Sequence, residues 1–290
     1  MKMLGNARRC LLFVPGARAE RFAKAMDSGA DQVCIDLEDA VGLADKETAR
    51  EATLDFIEQA ETSGSGIERG SELGLRINLI SSALGVADLK RLVARGIKPA
   101  FVMLPKIDSV DEILLADKLL DGTKISLIAL LESPHAVFEA RAIAQSTKRL
   151  QAIMFGGFDY AVAARIKPGN LGWAWARGQI AAAAAEAEIG AIDVPSLETK
   201  DVSAVGSETE HVLSMGFTAK AAIHPAQVAP IQNAFLPTAA EVSYAERVLD
   251  AVASAKNAAI AVDGKLVDRP IELAARRIAE LAKRGTRVAA

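Results

Sequence analysis

The 290-residue chain is poor in cysteine (two), histidine (three) and aromatic residues (4%). Cys10 stands just before one predicted strand and Cys34 inside another, so neither a disulfide framework nor a thiolate metal cluster is expected, and a reducing, cytoplasmic setting fits. No cluster of His or Cys supports zinc. A net charge of −3 and a pI near 5.8 give no electrostatic footprint for nucleic acid, although local basic loops can still hold an anionic ligand. No apolar run reaches membrane-spanning length, and the N-terminal stretch carries charge without the apolar core of a signal peptide. A G-x-G-x-x-G fingerprint and a P-loop are both missing.

What is present is ample apolar material, at 51% of residues, enough for one large α/β barrel or two medium domains. The organising stretch is Leu127-Ile128-Ala129-Leu130-Leu131, which stops at Glu132-Ser133-Pro134. A continuous apolar run closed by a charge and a proline reads as a buried strand whose end points into a site. A second run at 151–155 is released through Gly156-Gly157 and followed by Asp159.

The same rhythm fills the chain. Strands are expected at 11–14, 32–35, 73–78, 100–104, 127–131, 151–155, 191–193 and 221–225. Helices are expected at 17–28, 45–59, 84–95, 109–120, 173–187 and 201–215, with a Gly/Ser-rich surface loop at 62–66. Roughly eight βα units of about 25 to 30 residues predict an α/β fold, a (β/α)₈ TIM barrel over 1–236. Past Pro237 the pattern changes to a helix near 239–255, a hairpin signalled by Asp263-Gly264 and a final helix from 270 to about 283. This 237–290 segment reads as a helical and hairpin extension, a lid or swapped arm over its own barrel or a neighbour's.

Polar residues sort to one end. Asp36, Glu38, Asp39, Arg76, Lys106, Glu132, Asp159, Asp193 and His224 all fall at or just after C-terminal strand ends, the face that carries TIM-barrel active sites. Glu132 and Asp159 offer hard oxygen ligands suited to Mg²⁺, with Glu38 and Asp39 able to hold coordinated water. Each acid alone could equally be a barrel-mouth salt bridge or a helix cap. A glycosidase pair is the other use of two carboxylates, but scarce aromatics suit sugar stacking poorly and Arg76 points to an anionic substrate, whose carboxylate it can grip with two hydrogen bonds. Lys106 reads as an ion-pair partner, with a Schiff-base lysine as the alternative. His224 and Asp193 are weaker candidates, and Trp173 and Trp175 read as helix packing.

At these residues the chain resembles the citrate lyase β-subunit family of HpcH/HpaI-type aldolases. The matching stretches are Leu12-Phe-Val-Pro-Gly16, Asp36-Leu-Glu-Asp-Ala-Val41, Arg76-Ile-Asn78, Met103-Leu-Pro-Lys106, Ala129-Leu-Leu-Glu132, Phe155-Gly-Gly-Phe-Asp159 and Ala222-Ile-His-Pro225. The tail segment from Val262 to Pro270 resembles the lid of the family's acyl-CoA lyases. The resemblance implies a Mg²⁺-dependent carbon–carbon lyase, often trimeric or hexameric, that splits a 3-hydroxyacyl-CoA such as malyl-CoA or citramalyl-CoA into acetyl-CoA and a 2-oxo acid, or joins them. It implies Glu132 and Asp159 as metal ligands, Arg76 on the acid carboxylate, and Glu38 and Asp39 behind metal-bound water. Asp268 is implied as an acid/base supplied by a neighbouring subunit's lid, and CoA near Pro15 and Gly16 with Arg18 or Arg21 at its phosphates. The alternative is the β-subunit of a citrate lyase complex acting on a citryl thioester of an acyl-carrier protein. Two departures bear on substrate preference: Trp175-Ala-Arg177 where relatives frequently have Tyr-Ala-Arg, and Phe158 where an acid often precedes the ligand aspartate.

Overall fold

Strands buried on both faces favour continuous apolar runs over strict alternation, and eight such runs become strands here. In the computed structural model, which describes residues 8–63, 70–199, 201–254, 260–283 and 285, they are β1 (Cys10–Pro15), β2 (Gln32–Asp36), β3 (Glu72–Arg76), β4 (Phe101–Leu104), β5 (Ser126–Leu131), β6 (Leu150–Phe155), β7 (Gly190–Asp193) and β8 (Ala219–Ala222). Sequential neighbours pair in parallel, and β8 returns to β1 with Cys10 opposite Lys220, which closes the expected eight-stranded barrel.

Strand parity divides the core. Leu11, Cys34, Phe101, Met103, Ile128, Leu130 and Met154 fill the barrel interior. Leu12, Val33, Leu127, Ala129 and Leu131 face the surrounding helices. Because successive side chains alternate sides, the inward set of β5 continues from Ile128 and Leu130 to Glu132, and that of β2 from Cys34 to Asp36. Both cysteines are buried and unpaired.

Three expectations shift. The first helix, expected over 17–28, is a 3₁₀ turn at Ala19–Arg21 followed by a helix at Phe22–Met26. Its first residues are spent on a turn in which Arg18 N–H donates to Pro15 carbonyl at 3.0 Å. β8 ends at Ala222, so His224 lies beyond it and caps the 3₁₀ turn Pro225–Gln227, its Nδ1 accepting from Ala226 N–H at 3.2 Å. Asp159 stands in the first turn of the helix Gly157–Ala164. Residues 1–7, most of the loop at 62–66 and the expected strand residue at 259 lie outside the described residues.

The C-terminal segment forms the helix Ala239–Ser254, an antiparallel hairpin of β9 (Ile260–Val262) and β10 (Lys265–Val267), and the helix Arg269–Ala282. Asp263 and Gly264 both take positive φ, 50° and 75°, as a two-residue type I′ turn requires. Ala245, Val248, Val262, Val267 and Ala275 make a small apolar cluster separate from the two barrel clusters. Among the described residues, no helix is long and apolar enough to cross a membrane.

Candidate active site

A cavity of about 270 Å³ opens at the C-terminal ends of the strands. Pro15, Asp36, Arg76, Glu132 and Asp159 line it, together with an apolar wall of Phe13, Leu130, Met154, Phe158, Val194, Pro195 and Ile223. A second, more open cleft of about 380 Å³ sits at the opposite strand ends around Ser126 and Gln151; its acid, Asp117, is already bound to Arg149.

Glu132 follows directly from local structure. Ser133 caps the helix Pro134–Phe138 by accepting from Ala136 N–H at 3.0 Å, so the chain must leave β5 at Glu132. Gly156 leaves it room: a Cβ there would lie 2.3 Å from Glu132 Cγ. Burial, reinforced by the neighbouring Asp159 charge, pushes the Glu132 carboxyl up to about 8. Its Oε2 is buried without a hydrogen-bond partner. Buried Glu132, with its orphaned oxygen, and the more exposed Asp159 line one cavity and form a site short of positive charge.

Arg76 is held on one side. Its Nε and Nη2 donate to the two Asp36 oxygens at 2.7 and 2.6 Å, while Nη1 lies 3.2 Å from Glu38. The guanidinium also sits 5.3 Å from the Phe13 ring centroid. Asp36 therefore fixes the orientation of Arg76, a role that strand position alone did not reveal. It also accepts from Glu38 N–H at 2.9 Å, and its carbonyl accepts from Gly16 N–H at 2.8 Å. A Cβ on Gly16 would come within 2.7 Å of that carbonyl, so only glycine lets the β1 turn approach so closely.

Lys106 bridges Glu38 and Asp39, the latter at 3.2 Å. Burial would lower its pKa, but the two carboxylates outweigh this and hold the ammonium above its ordinary range. Such a lysine is a poor nucleophile, which disfavours the Schiff-base alternative. Burial raises the Glu38 carboxyl against the pull of Lys106 and Arg76. For the more exposed Asp39, burial acts upward too, but Lys106 prevails and holds it low.

Other candidates fall elsewhere. Asp193 is buried outside the barrel interior, bound to Arg177 at 2.8 and 3.1 Å and to Lys220 at 2.8 Å. Arg18 pairs with exposed Glu20 at 2.6 Å, away from the cavity wall. Asp268 caps its own helix, accepting from Ile271 N–H at 3.2 Å, and does not line the cavity within one chain. Trp173 packs on Phe155 and Phe158, and Trp175 on Phe138, as helix residues. Sequence reading missed the apolar wall from β7 and β8. Gln227 fixes it, donating to the Ser196 and Glu198 carbonyls at 3.0 and 2.7 Å and accepting from Ile223 N–H at 2.9 Å.

Among the described residues, no three His, Cys, Asp or Glu side chains converge as a ready-made metal cage. Mg²⁺ does not need one, since it commonly takes one or two carboxylates and completes its shell with water and substrate oxygens. The orphaned Glu132 oxygen and the adjacent Asp159 fit that ion.

A profile of the HpcH/HpaI aldolase/citrate lyase family matches residues 9–225. Citrate lyase subunit beta of Escherichia coli (strain K12) is 31% identical over 92% of this chain and 90% of its own length. The mitochondrial citramalyl-CoA lyase of Homo sapiens is 28% identical over 91% of this chain and 82% of its own. The crystal structure of CitE from Mycobacterium tuberculosis in complex with magnesium, acetoacetate and coenzyme A is similar with a TM-score of 0.81 at 29% identity, covering 96% of this chain and 98% of that one. With that profile spanning the barrel and a relative of such identity along most of its length, the chain belongs to the HpcH/HpaI aldolase/citrate lyase family.

Proposed function

We propose that this protein is a Mg²⁺-dependent carbon–carbon lyase that cleaves a 3-hydroxyacyl-CoA of the malyl or citramalyl type into acetyl-CoA and a 2-oxo acid, or runs the reverse condensation. The observation that carries the reading is the pair of carboxylates, Glu132 and Asp159, lining one cavity with a single guanidinium, Arg76. Family membership and the human citramalyl-CoA lyase relative support it.

Glu132 and Asp159 would hold Mg²⁺, with Glu38 and Asp39 ordering water beside it. When bound, Mg²⁺ supplies the positive charge that stabilises developing charge on the substrate's hydroxyl oxygen. Arg76, locked by Asp36, presents Nη1 and the free side of Nη2 to the substrate carboxylate and fixes the carbinol carbon in place. A base takes the hydroxyl proton, the C–C bond breaks, and its electron pair passes to the α-carbon of the thioester. That carbon then takes a proton to become acetyl-CoA. Asp268 is our choice for the acid/base, brought by another copy's extension, because in its own chain it caps a helix away from the cavity. In this reading 1–236 is the catalytic barrel and 237–290 a lid and oligomerisation arm, in a trimer or hexamer. CoA would pass the Pro15–Gly16 turn. The buried unpaired cysteines support a cytoplasmic setting.

The second reading, a β-subunit of a citrate lyase complex working on a carrier-protein thioester, is favoured by the Escherichia coli relative. Turnover decides between them. The purified chain should cleave free CoA thioesters with Mg²⁺ and stop with excess EDTA; activity only on a carrier-bound citryl thioester would favour the complex.

A further inference from the structure

The reaction class leaves open which group the carbinol carbon bears beside its carboxylate: hydrogen, an alkyl group, or a carboxymethyl group carrying a second carboxylate, as in a citryl thioester. The cavity wall separates these possibilities. Arg76 is the one cationic side chain among the described residues lining it. That guanidinium already faces Asp36 at 2.7 and 2.6 Å and Glu38 at 3.2 Å. The next cation, Lys106, is engaged by Glu38 and Asp39. The mouth thus gathers five carboxylates, Asp36, Glu38, Asp39, Glu132 and Asp159, against two cations. A divalent ion would leave the acids still in excess.

The rest of the wall is apolar. Phe158, Val194, Pro195 and Ile223 join Leu130 and Met154 around the acids, and none of these side chains carries a donor for an anion. Phe158 is the residue immediately before Asp159, and its ring is fixed edge-on to Trp173 at 5.4 Å between centroids. Val194 is buried, and Ile223 stands at the exposed rim. A second carboxylate would meet hydrocarbon and excess negative charge, whereas a methyl or ethyl group would bury against the same wall.

We propose that the site selects a 2-oxo acid with one carboxylate and a hydrogen or small alkyl substituent, and discriminates against one with a second carboxylate, with Phe158 and Ile223 as specificity-determining residues. This rests on the lyase reading for its chemistry, but selectivity is measurable without turnover. Titration calorimetry at saturating Mg²⁺ would compare 2-oxobutyrate and pyruvate with oxaloacetate, the first and last differing by methyl against carboxylate. Oxaloacetate is expected to bind at least about tenfold more weakly than 2-oxobutyrate. Phe158→Arg should narrow or reverse that ratio; Ile223→Arg, at the exposed rim, serves if the first variant does not fold. Oxaloacetate binding as tightly as 2-oxobutyrate would overturn the proposal, and so would binding of none of the three acids. Selective binding without cleavage of any CoA thioester would refute the lyase reading and uphold the selectivity.

Discussion

At the residue scale the account turns on Glu132, a carboxylate buried beside another one. Its raised pKa gives a signed pH dependence. The folded state keeps the Glu132 proton up to about pH 8, while the unfolded chain releases it in the ordinary carboxylate range. Stability of the metal-free protein should therefore fall as pH rises through that window and level off above it. Mg²⁺ must displace the same proton, so its apparent affinity should climb about tenfold per pH unit below 8 and then flatten. Calorimetric titrations from pH 6 to 9 read this slope; a flat profile would remove Glu132 from the metal site. Glu132 was legible in the sequence because the continuous apolar run at 127–131 stops at it, and the inward side chains of Ile128 and Leu130 show why it faces the barrel interior. Asp36 was less legible. Its grip on Arg76 depends on β2 and β3 pairing with Asp36 opposite Arg76, a register that neither segment states alone.

At the element scale, the strand-to-helix turns place the chemistry. Gly156 gives the β6 turn a surface against which Glu132 lies, and the Cβ of Gly156→Ala would displace that side chain. We expect this variant to lose about tenfold or more in Mg²⁺ affinity with the barrel still folded, read by calorimetry alongside circular dichroism. Unchanged affinity would mean that Glu132 does not set the site. The short helices Pro134–Phe138, Ala140–Ala144, Gly157–Ala164 and Val228–Ala234 were not expected, whereas the eight strands and the long helices were legible from apolar runs and caps to within a few residues. The first helix was not, because the turn closed by Arg18 N–H on Pro15 uses residues whose composition suits a helix. The apolar wall was hidden for a similar reason. Val194, Pro195 and Ile223 lie past their strand ends, where their direction is set by Gln227 and not by strand period.

At the scale of the whole molecule, the barrel and the extension keep separate apolar clusters, and Leu266 and Leu273 of the extension remain exposed. This suits an arm that packs on a neighbouring copy. If Asp268 acts in trans, Asp268→Asn and Glu132→Gln should each be nearly inactive alone. Mixed and reassembled, they should recover a measurable fraction of wild-type turnover, since some sites then combine an intact metal pair with an intact Asp268. No recovery on mixing, with subunit exchange verified, would place the acid/base within one chain or on another residue. The closed barrel was legible from eight repeats of one rhythm. Where the extension docks in the proposed reading was not, because that would depend on the surface of another copy.

The most direct test of the central claim is acetyl-CoA release from malyl-CoA and citramalyl-CoA, measured against Mg²⁺ concentration for wild type and Glu132→Gln side by side. Wild type should show saturable, EDTA-reversible release. Glu132→Gln should fold normally and lose on the order of 1,000-fold in kcat/KM, because the charge stabilisation supplied through its metal is worth several kcal/mol. A Glu132→Gln protein that keeps wild-type, Mg²⁺-dependent release would contradict the account.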